Sequence, residues 1–499
     1  MNRKLIITIK VILFTIILGM ALLTVAKIVE NKSGYEKNSQ FFTEANRNHL
    51  DMLFFGTSHV INGINPVQLY QETGFTSYNL GGFGSPIIST YWQIMMALEE
   101  CQPKLVVVDS YMLENDVRYQ DDEEANADFD MQHLAMDAYP LSFTKIKACR
   151  DLFESKDVQR QFLFNYITYH DRWKELKSND WQRITGKSPV NKLMGADILY
   201  SLHADPYTYM PNPEYDRLPD ETIGTEYLKK IITDCHAKGV GVLVVTLPFN
   251  AQEADQRANG TAAEICAEYG VPYLNMLAIP DFMDVNIDLS DSGHLNIIGM
   301  HKVTSYLGQW LIDTTIAEQI GMTDHRNDPE YDNWNQAVAD YENQVQSMSI
   351  RQKDLYSQLM MLSLTNKDYI IKINGAGEVF SDRIMVQLIK NLLPESDIDI
   401  SAAQNIPYFL IKSGDIMDDY VGLGDTRQWD TTMGSIVYTP IADIYQTLYV
   451  NGDEENNVIY DDEHAYADIQ ILFLGKENGS GFESHQYYTC DHFEYGYSE

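Results

Sequence analysis

The chain has 499 residues, and its 72 acidic and 36 basic side chains give a formal net charge of −36. This length allows two or three domains, because a domain usually takes roughly 100–200 residues. The acidic balance argues against nucleic acid as a partner, since phosphate binding depends on clustered Lys and Arg side chains and none is visible. An apolar content of 44% is typical of a folded globular protein.

The N-terminal segment is strongly apolar. Residues 5–26 carry a single charge, Lys10, and follow the basic pair Arg3 and Lys4. A helix of this length covers a hydrocarbon core of roughly 30 Å. We therefore predict a transmembrane anchor over 1–27, with the N-terminus cytoplasmic and the body extracytoplasmic. A cleaved signal peptide is the alternative. Because the body is acidic, attachment to a membrane is expected to be hydrophobic and not electrostatic.

After the anchor, residues 28–50 are polar, which predicts a short stalk. The pattern then changes to short apolar runs separated by stretches with helical periodicity. The runs 51–55, 104–109 and 240–246 are expected to be strands buried on both faces. Such alternation predicts an α/β domain with a parallel sheet between helical layers.

Function in such a sheet gathers at the carboxyl ends of the strands. The turns to inspect are therefore those that follow Phe55, Leu80, Asp109 and Leu247.

Three further segments complete the predicted organisation. Residues 117–225 are rich in aromatic and acidic side chains without a clear buried strand, which predicts a helical cap inserted into an α/β domain over 51–320. Residues 321–364 are polar and helix-like and are expected to form a linker. Short β-rich runs over 365–499 predict a smaller α+β domain with an accessory role.

Ser58 is the first candidate catalytic residue. It lies in the tetrapeptide Gly56-Thr57-Ser58-His59, directly after the first predicted strand. Gly56 permits a tight bend, and a helix that starts there would direct backbone N–H groups at a developing oxyanion. A serine that follows a strand is, on its own, more often a helix cap.

Asp291 and His294 form the second candidate element, in a loop before the last predicted helix of the α/β domain. A hydroxyl nucleophile needs a base, and the base needs a carboxylate that fixes its tautomer. A short D-x-x-H loop supplies both, although such loops also bind metals or cap helices.

Together these motifs resemble the SGNH/GDSL hydrolase superfamily, in which the serine and D-x-x-H blocks occur in this order. The turn from Asn79 to Gly84 is similar to the N-x-x-x-x-G block of that family. The resemblance implies a three-layer, flavodoxin-like SGNH fold. It also implies Ser58 as nucleophile, His294 as base and Asp291 as its partner, with an oxyanion hole formed by the amides of Ser58 and Gly84. No cofactor or metal is expected, because the cysteines lack metal-like spacing and the acidic clusters at 121–124 and 453–455 do not fit a calcium loop.

The resemblance has two departures. The third block of the family contributes an Asn after the strand at 104–109, whereas here Asn115 lies too far along the chain to equate with it. Thr57 also stands where many members have Asp. These features are similar to the alginate O-acetyltransferase-like and D-alanyl transfer protein-like members of the superfamily.

That subset implies an O-acyltransferase or esterase that acts on a cell-surface polysaccharide or glycopolymer, beside a multipass membrane acyltransferase. A scaffold or polymer-binding protein that keeps the fold without the chemistry is the alternative.

In the predicted cap, His170, Arg172 and Trp173 lie close together in the sequence. As a functional site they would form a carbohydrate platform, with Trp173 stacking on a sugar and Arg172 holding an anionic group. The alternative is a helix interface whose polar groups are satisfied internally.

Overall fold

The computed structural model describes residues 3–30, 32–47, 49–125, 129–182, 185, 191–202, 217–252, 254–374, 379–399, 406–431, 434–442, 445–455, 468–475, 482–491 and 494–498. The chain divides into two compact units. The first unit comprises Met1–Ile198, Thr208–Met283 and Ser292–Ala339. The second unit comprises Leu199–Tyr207, Asp284–Asp291 and Asp340–Glu499.

The first unit is built on a five-stranded sheet in which every pairing is parallel. Its strands are β1 (Met52–Phe55), β2 (Ser77–Asn79), β3 (Leu105–Asp109), β4 (Gly241–Thr246) and β5 (Tyr273–Asn275). The strand order is β2-β1-β3-β4-β5, the doubly wound order of flavodoxin-like folds. All residues of β1 and β3 are buried, as the continuous apolar runs predict for strands covered on both faces.

Helices form the outer layers of this unit. In chain order the helices are α1 (Arg3–Val29), α2 (Lys32–Arg47), α3 (Ser58–Gly63), α4 (Pro66–Thr73), α5 (Ile87–Glu100), α6 (Phe129–Met136), α7 (Phe143–Leu152), α8 (Lys156–Leu163), α9 (Asn165–Tyr169), α10 (Ser178–Gln182), α11 (Ile223–Ala237), α12 (Ala258–Tyr269), α13 (Ile297–Asp313) and α14 (Ile316–Gln319). Helices α4 and α13 pack together, and α11 packs against both α5 and α12. The prediction of an α/β fold with helices around a parallel sheet is confirmed.

The stretch predicted as a cap contains α6 to α10 and the first residues of α11. Within 117–125, 129–182, 185, 191–202 and 217–225, the parts of this stretch that the structure describes, no residue is in a strand. Polar caps start two of its helices: Ser142 accepts from the Lys145 amide and Ser155 from the Val158 amide.

The structure differs from the stalk predicted over 28–50. Helix α2 begins at Lys32 and packs on the first unit, with Phe41 fully buried against the rings of Tyr78 and Tyr139. Glu44 is also fully buried and accepts a 3.0 Å hydrogen bond from the Trp334 indole. The sequence of this segment is polar overall, because the buried positions that the structure describes alternate with solvated ones.

Helix α1 is long and apolar enough to cross a membrane, with 27 residues and a mean hydropathy of 2.6 over its most apolar window. Its apolar side chains up to Val25 are exposed, whereas Ile28, Val29 and Glu30 are buried against the first unit. The exposed apolar part of the helix thus ends where contact with the body begins.

The stretch predicted as a linker is helical over α15 (Asp332–Met348) and α16 (Leu355–Leu362). Trp334 is completely buried within the first unit and packs against Tyr70, with ring centroids 5.2 Å apart. Every residue of α16 except Tyr356 is buried in the second unit. The boundary between the two units falls inside α15, after Ala339, whereas α16 lies wholly in the second unit.

The second unit is dominated by two antiparallel sheets. Besides α16 and α17 (Arg383–Leu392), its elements are β6 (Tyr369–Ile373), β7 (Tyr408–Ser413), β8 (Ile416–Val421), β9 (Arg427–Thr431), β10 (Gly434–Ala442), β11 (Tyr445–Val450), β12 (Asp453–Glu455), β13 (Ile469–Leu474), β14 (Phe482–Asp491) and β15 (Glu494–Ser498). The sheet orders are β15-β14-β13-β6-β7-β8 and β12-β11-β10-β9. A shared core joins them, in which Phe409 of the larger sheet stacks on Trp429 and Tyr438 of the smaller one. Together the helices and antiparallel strands form the α+β fold predicted for the C-terminal region.

The packing of α2 predicts a large effect of Phe41→Ala on stability. Removing a fully buried phenylalanine destabilises a protein by about 3–5 kcal/mol. We expect a loss of this size in denaturant unfolding, and little change for Thr43→Ala, which is exposed on the same helix. Equal stability of the two variants would contradict the packing of Phe41 and support the predicted stalk.

Candidate active site

Ser58 lies at the topological switch point of the sheet. The chain leaves β1 in one direction to form β2 and later returns to form β3 on the other side, which opens a crevice outside the carboxyl ends of β1 and β3. Gly56 makes the turn into this crevice. A Cβ at Gly56 would lie 2.6 Å from Val60 Cγ2 and 2.7 Å from Asp109 Cβ, so only glycine fits there.

The helix cap at this turn is Thr57, and not Ser58. The Thr57 hydroxyl accepts a 3.2 Å hydrogen bond from the His59 amide, and α3 begins at Ser58. The Ser58 hydroxyl instead lies 2.8 Å from Nε2 of His294. Both side chains are partly accessible. The alternative explanation of Ser58 as a capping residue is therefore unnecessary.

His294 is held in place by the start of α13. Asn296 caps this helix by accepting hydrogen bonds from the amides of Ile298 (3.0 Å) and Gly299 (3.1 Å). The amide of Asn250, in the turn after β4, donates to the Ser292 carbonyl at 3.0 Å. These bonds fix both flanks of the loop that carries the imidazole.

Asp291, the predicted carboxylate partner of His294, is partly buried. It is the last residue of Asp284–Asp291, a segment of the second unit. In this segment Asp288 accepts a hydrogen bond from the Asp284 amide at 2.8 Å, and Asp284 accepts one from the Asn286 amide at 3.0 Å. The role of Asp291 as a partner of His294 stays a prediction.

The turn that carries Gly84 is tied to the Ser58 turn. Its buried Asn79 donates to the carbonyls of Val60 (2.6 Å) and Ile64 (2.9 Å), and accepts from the Gly81 amide. The amide of Gly82 donates to the Gly56 carbonyl at 2.9 Å. Gly84 has a φ of 59°, in the left-handed region that favours glycine. The oxyanion role of its amide stays a prediction.

An aromatic group that sequence reasoning missed lies beside the Ser58 and His294 pair. The rings of His59, Tyr111 and Phe249 contact one another, with centroids 4.1 to 5.3 Å apart. The His59 ring also lies 5.9 Å from that of His294, in an edge-on arrangement. We call His59, Tyr111 and Phe249 the aromatic wall. Tyr111 and Phe249 occur in two of the four turns singled out from the sequence, which is the signal that could have identified them.

Asp109 joins the turns that carry this wall. Its fully buried carboxylate accepts hydrogen bonds from the amides of Tyr111 and Leu247, both at 3.4 Å. Burial raises the pKa of the Asp109 carboxyl to about 7, although these amide bonds oppose the shift. Asp109 is therefore a buried acid that holds the ends of β3 and β4 together.

Asn115, the residue nearest in sequence to the missing third block, is engaged in local structure. Its side chain accepts from the Val117 amide at 3.1 Å, and its carbonyl accepts from the Gly224 amide at 3.0 Å. A second histidine, His301, lies seven residues beyond His294 in α13. Burial lowers its pKa to about 4. An imidazole so strongly desolvated is kept neutral by its surroundings.

The three candidate residues of the cap make contacts away from Ser58. Arg172 donates to the carbonyl of Val29 at 2.6 Å and to that of Glu30, and it forms an ion pair with Asp180 at 3.2 Å. His170 is hydrogen-bonded to the Ile167 carbonyl at 2.8 Å. Trp173 is 63% exposed. The Arg172 contacts match the helix-interface alternative, because the guanidinium satisfies carbonyls at the end of α1.

Fold and site together define a doubly wound α/β protein with a serine–histidine pair at its switch point. No family model matches the chain, and no curated protein matches it in sequence. Among solved structures it is similar to a protein of Bacteroides fragilis described as a candidate acylhydrolase, with 10% identity and a TM-score of 0.27 over 58% of this chain and 99% of that one.

It is also similar to a catalytic mutant of an acetylxylan esterase from Geobacillus stearothermophilus. Here the identity is 10% and the TM-score 0.25, over 55% of this chain and 96% of that one. Both likenesses are too weak to indicate the chemistry of this chain.

Asp109 predicts a specific dependence of stability on pH. The unfolded carboxyl loses its proton near its ordinary pKa of 3.8, whereas the folded one keeps it until about pH 7. The folded state therefore binds the extra proton between these values, and this group lowers stability as pH rises from about 4 to 7. At 1.36 kcal/mol per pKa unit, the effect is on the order of 4 kcal/mol.

Asp109→Asn should remove this contribution. We expect the variant to gain stability relative to the parent as pH rises from about 4 to about 7.5, measured by thermal unfolding. Asp220→Asn, a control on an exposed carboxylate, should show no such trend. A constant difference between parent and Asp109→Asn across this range would refute the prediction.

Proposed function

We propose that the protein is an SGNH-type serine acyl-ester enzyme that works through an acyl-enzyme on Ser58. The single observation that carries the proposal is the 2.8 Å contact between Ser58 Oγ and His294 Nε2 at the switch point. Nucleophile and base side chains at hydrogen-bond distance are the arrangement that activates a hydroxyl.

In the proposed reaction the Ser58 oxygen attacks the carbonyl carbon of an ester, and His294 Nε2 takes the hydroxyl proton. The amides of Ser58 and Gly84 stabilise the resulting oxyanion. Collapse of this intermediate breaks the ester bond, and His294 returns the proton to the departing alkoxide. A second hydroxyl then repeats both steps and removes the acyl group from Ser58. Nδ1 of His294 must carry a proton throughout, and Asp291 is the proposed acceptor of its hydrogen bond.

The second hydroxyl decides between hydrolysis and transfer. Water gives an esterase, and a carbohydrate hydroxyl gives an O-acyltransferase acting on a cell-surface polysaccharide or glycopolymer. Helix α1, with Arg3, Lys4 and Lys10 toward its N-terminal end, supports a single-pass anchor with the catalytic unit outside the cell. In this location the acyl donor would come from a multipass membrane acyltransferase.

Ser58→Ala should abolish the activity. Removing the nucleophile is expected to lower kcat for acetyl-ester turnover by a factor on the order of 10³ or more. Ser292→Ala, which changes an exposed serine close to His294 in sequence, should keep the parent rate. A full rate in Ser58→Ala would rule out the acyl-enzyme.

One observation favours a second candidate, a surface scaffold without catalysis: the side-chain oxygen of Asn115 accepts from the Val117 amide in a local turn. A fluorophosphonate probe separates the two functions, because it reacts only with an activated serine. Labelling of the folded parent that is lost in Ser58→Ala supports the enzyme. No labelling of folded parent supports the scaffold.

The aromatic wall should limit the size of the acyl group. Phe249→Ala removes one ring of the wall, so the ratio of kcat/KM for hexanoyl over acetyl esters should rise by about tenfold. This ratio is independent of the amount of folded enzyme. Phe143→Ala, at a phenylalanine that is 86% exposed, is the matched control. An unchanged ratio in Phe249→Ala would show that the wall does not contact the acyl chain.

A further inference from the structure

Cap elements that contact α1 expose large apolar side chains. Helices α9 and α10 and the 3-10 turn between them, His170–Lys174, all contact α1. These elements, together with Phe164 at the N-cap of α9, expose five large apolar residues, which we call the collar: Phe164, Tyr166, Ile167, Trp173 and Trp181. Trp181 is 54% exposed. Five such residues exposed along elements that all contact one apolar helix indicate a partner, because single exposed apolar residues are common but groups of them are not.

The cap elements that carry the collar are hydrogen-bonded to the C-terminal end of α1, directly after its apolar residues. The Arg172 guanidinium binds the carbonyls of Val29 and Glu30, and the Asn165 amide binds the Glu30 carboxylate at 3.2 Å. The exposed apolar stretch of α1 ends only about one helical turn earlier, near Ala26. At about 1.5 Å per residue there is no room for a spacer between the bilayer and the cap.

We infer that the collar is a membrane-contact surface, and that its partner is the interfacial layer of the same bilayer that α1 crosses. Tyr and Trp are enriched at this depth because their rings are apolar and their N–H or O–H groups reach water. The inference rests on the proposed anchor and is independent of the proposed chemistry. It gives Trp173 a lipid partner in place of a carbohydrate.

The local charge agrees with this partner. The chain as a whole is strongly acidic, but residues 142–182 contain eight Lys and Arg against six Asp and Glu. Lys174 lies over the Trp173 ring at 5.7 Å, which places a cation beside the collar. The acidic repulsion expected from the overall composition is therefore absent from this stretch of the sequence.

Tryptophan fluorescence of the full chain in lipid vesicles tests the inference. Helix α1 contains no tryptophan, so quenching by phosphatidylcholine brominated on its acyl chains reports only on the body. We expect quenching in the parent, loss of nearly all of it in the double variant Trp173→Phe, Trp181→Phe, and no loss in the control Trp310→Phe. Flotation of the vesicles measures attachment through α1 separately.

Each other outcome overturns the inference in a distinguishable way. A parent that floats with vesicles but is not quenched keeps the anchor and leaves the collar in water, as a carbohydrate platform would be. Quenching that survives in the double variant assigns lipid contact to another surface. A parent that does not float removes the anchor and the collar together, whereas ester turnover by Ser58 is measured separately and stands or falls by itself.

Discussion

The hydrogen bond between the Ser58 hydroxyl and the His294 imidazole joins two turns that lie 236 residues apart in the chain. The two helices that start at these turns are capped by other side chains. Thr57 caps α3 and Asn296 caps α13, each by accepting from backbone amides. Neither Ser58 nor His294 is therefore needed as a helix cap. The Ser58 hydroxyl can instead bind the imidazole that would activate it as a nucleophile.

The strand order turns this pair into a site. Because β1 lies between β2 and β3, the Ser58 turn has the Asn79–Gly84 turn on one side and the Asp109 turn on the other. Asp109 then accepts a hydrogen bond from the Leu247 amide in the turn after β4, which ties the carboxyl ends of β3 and β4 together. A charged carboxylate would be costly in this position, and burial therefore raises the pKa of the Asp109 carboxyl.

The sequence predicted those parts of the protein that depend on local pattern. Buried parallel strands appear in the sequence as continuous apolar runs. The Gly56 turn and the D-x-x-H loop are short motifs. Each of these features can be recognised without knowing which strands are neighbours in the sheet. The aromatic wall was missed because it depends on which strands become neighbours. Helix α2 has the sequence pattern of a stalk, because few of its described side chains are buried, among them Phe41 and Glu44. A buried carboxylate that accepts from Trp334 cannot be distinguished from a solvated one in the sequence.

The path of α2 relates the catalytic edge to the membrane. Near its start, Lys37 donates to the Asn79 carbonyl at the carboxyl end of β2, and its far end leads into β1 at the amino edge of the sheet. The helix therefore runs antiparallel to the strands, and α1 ends on the same side as Ser58. With α1 in a bilayer, as proposed, the Ser58 edge is the membrane-proximal one. An acyl group delivered through the membrane, as proposed for the transferase, would then reach the nucleophile without passing around the domain.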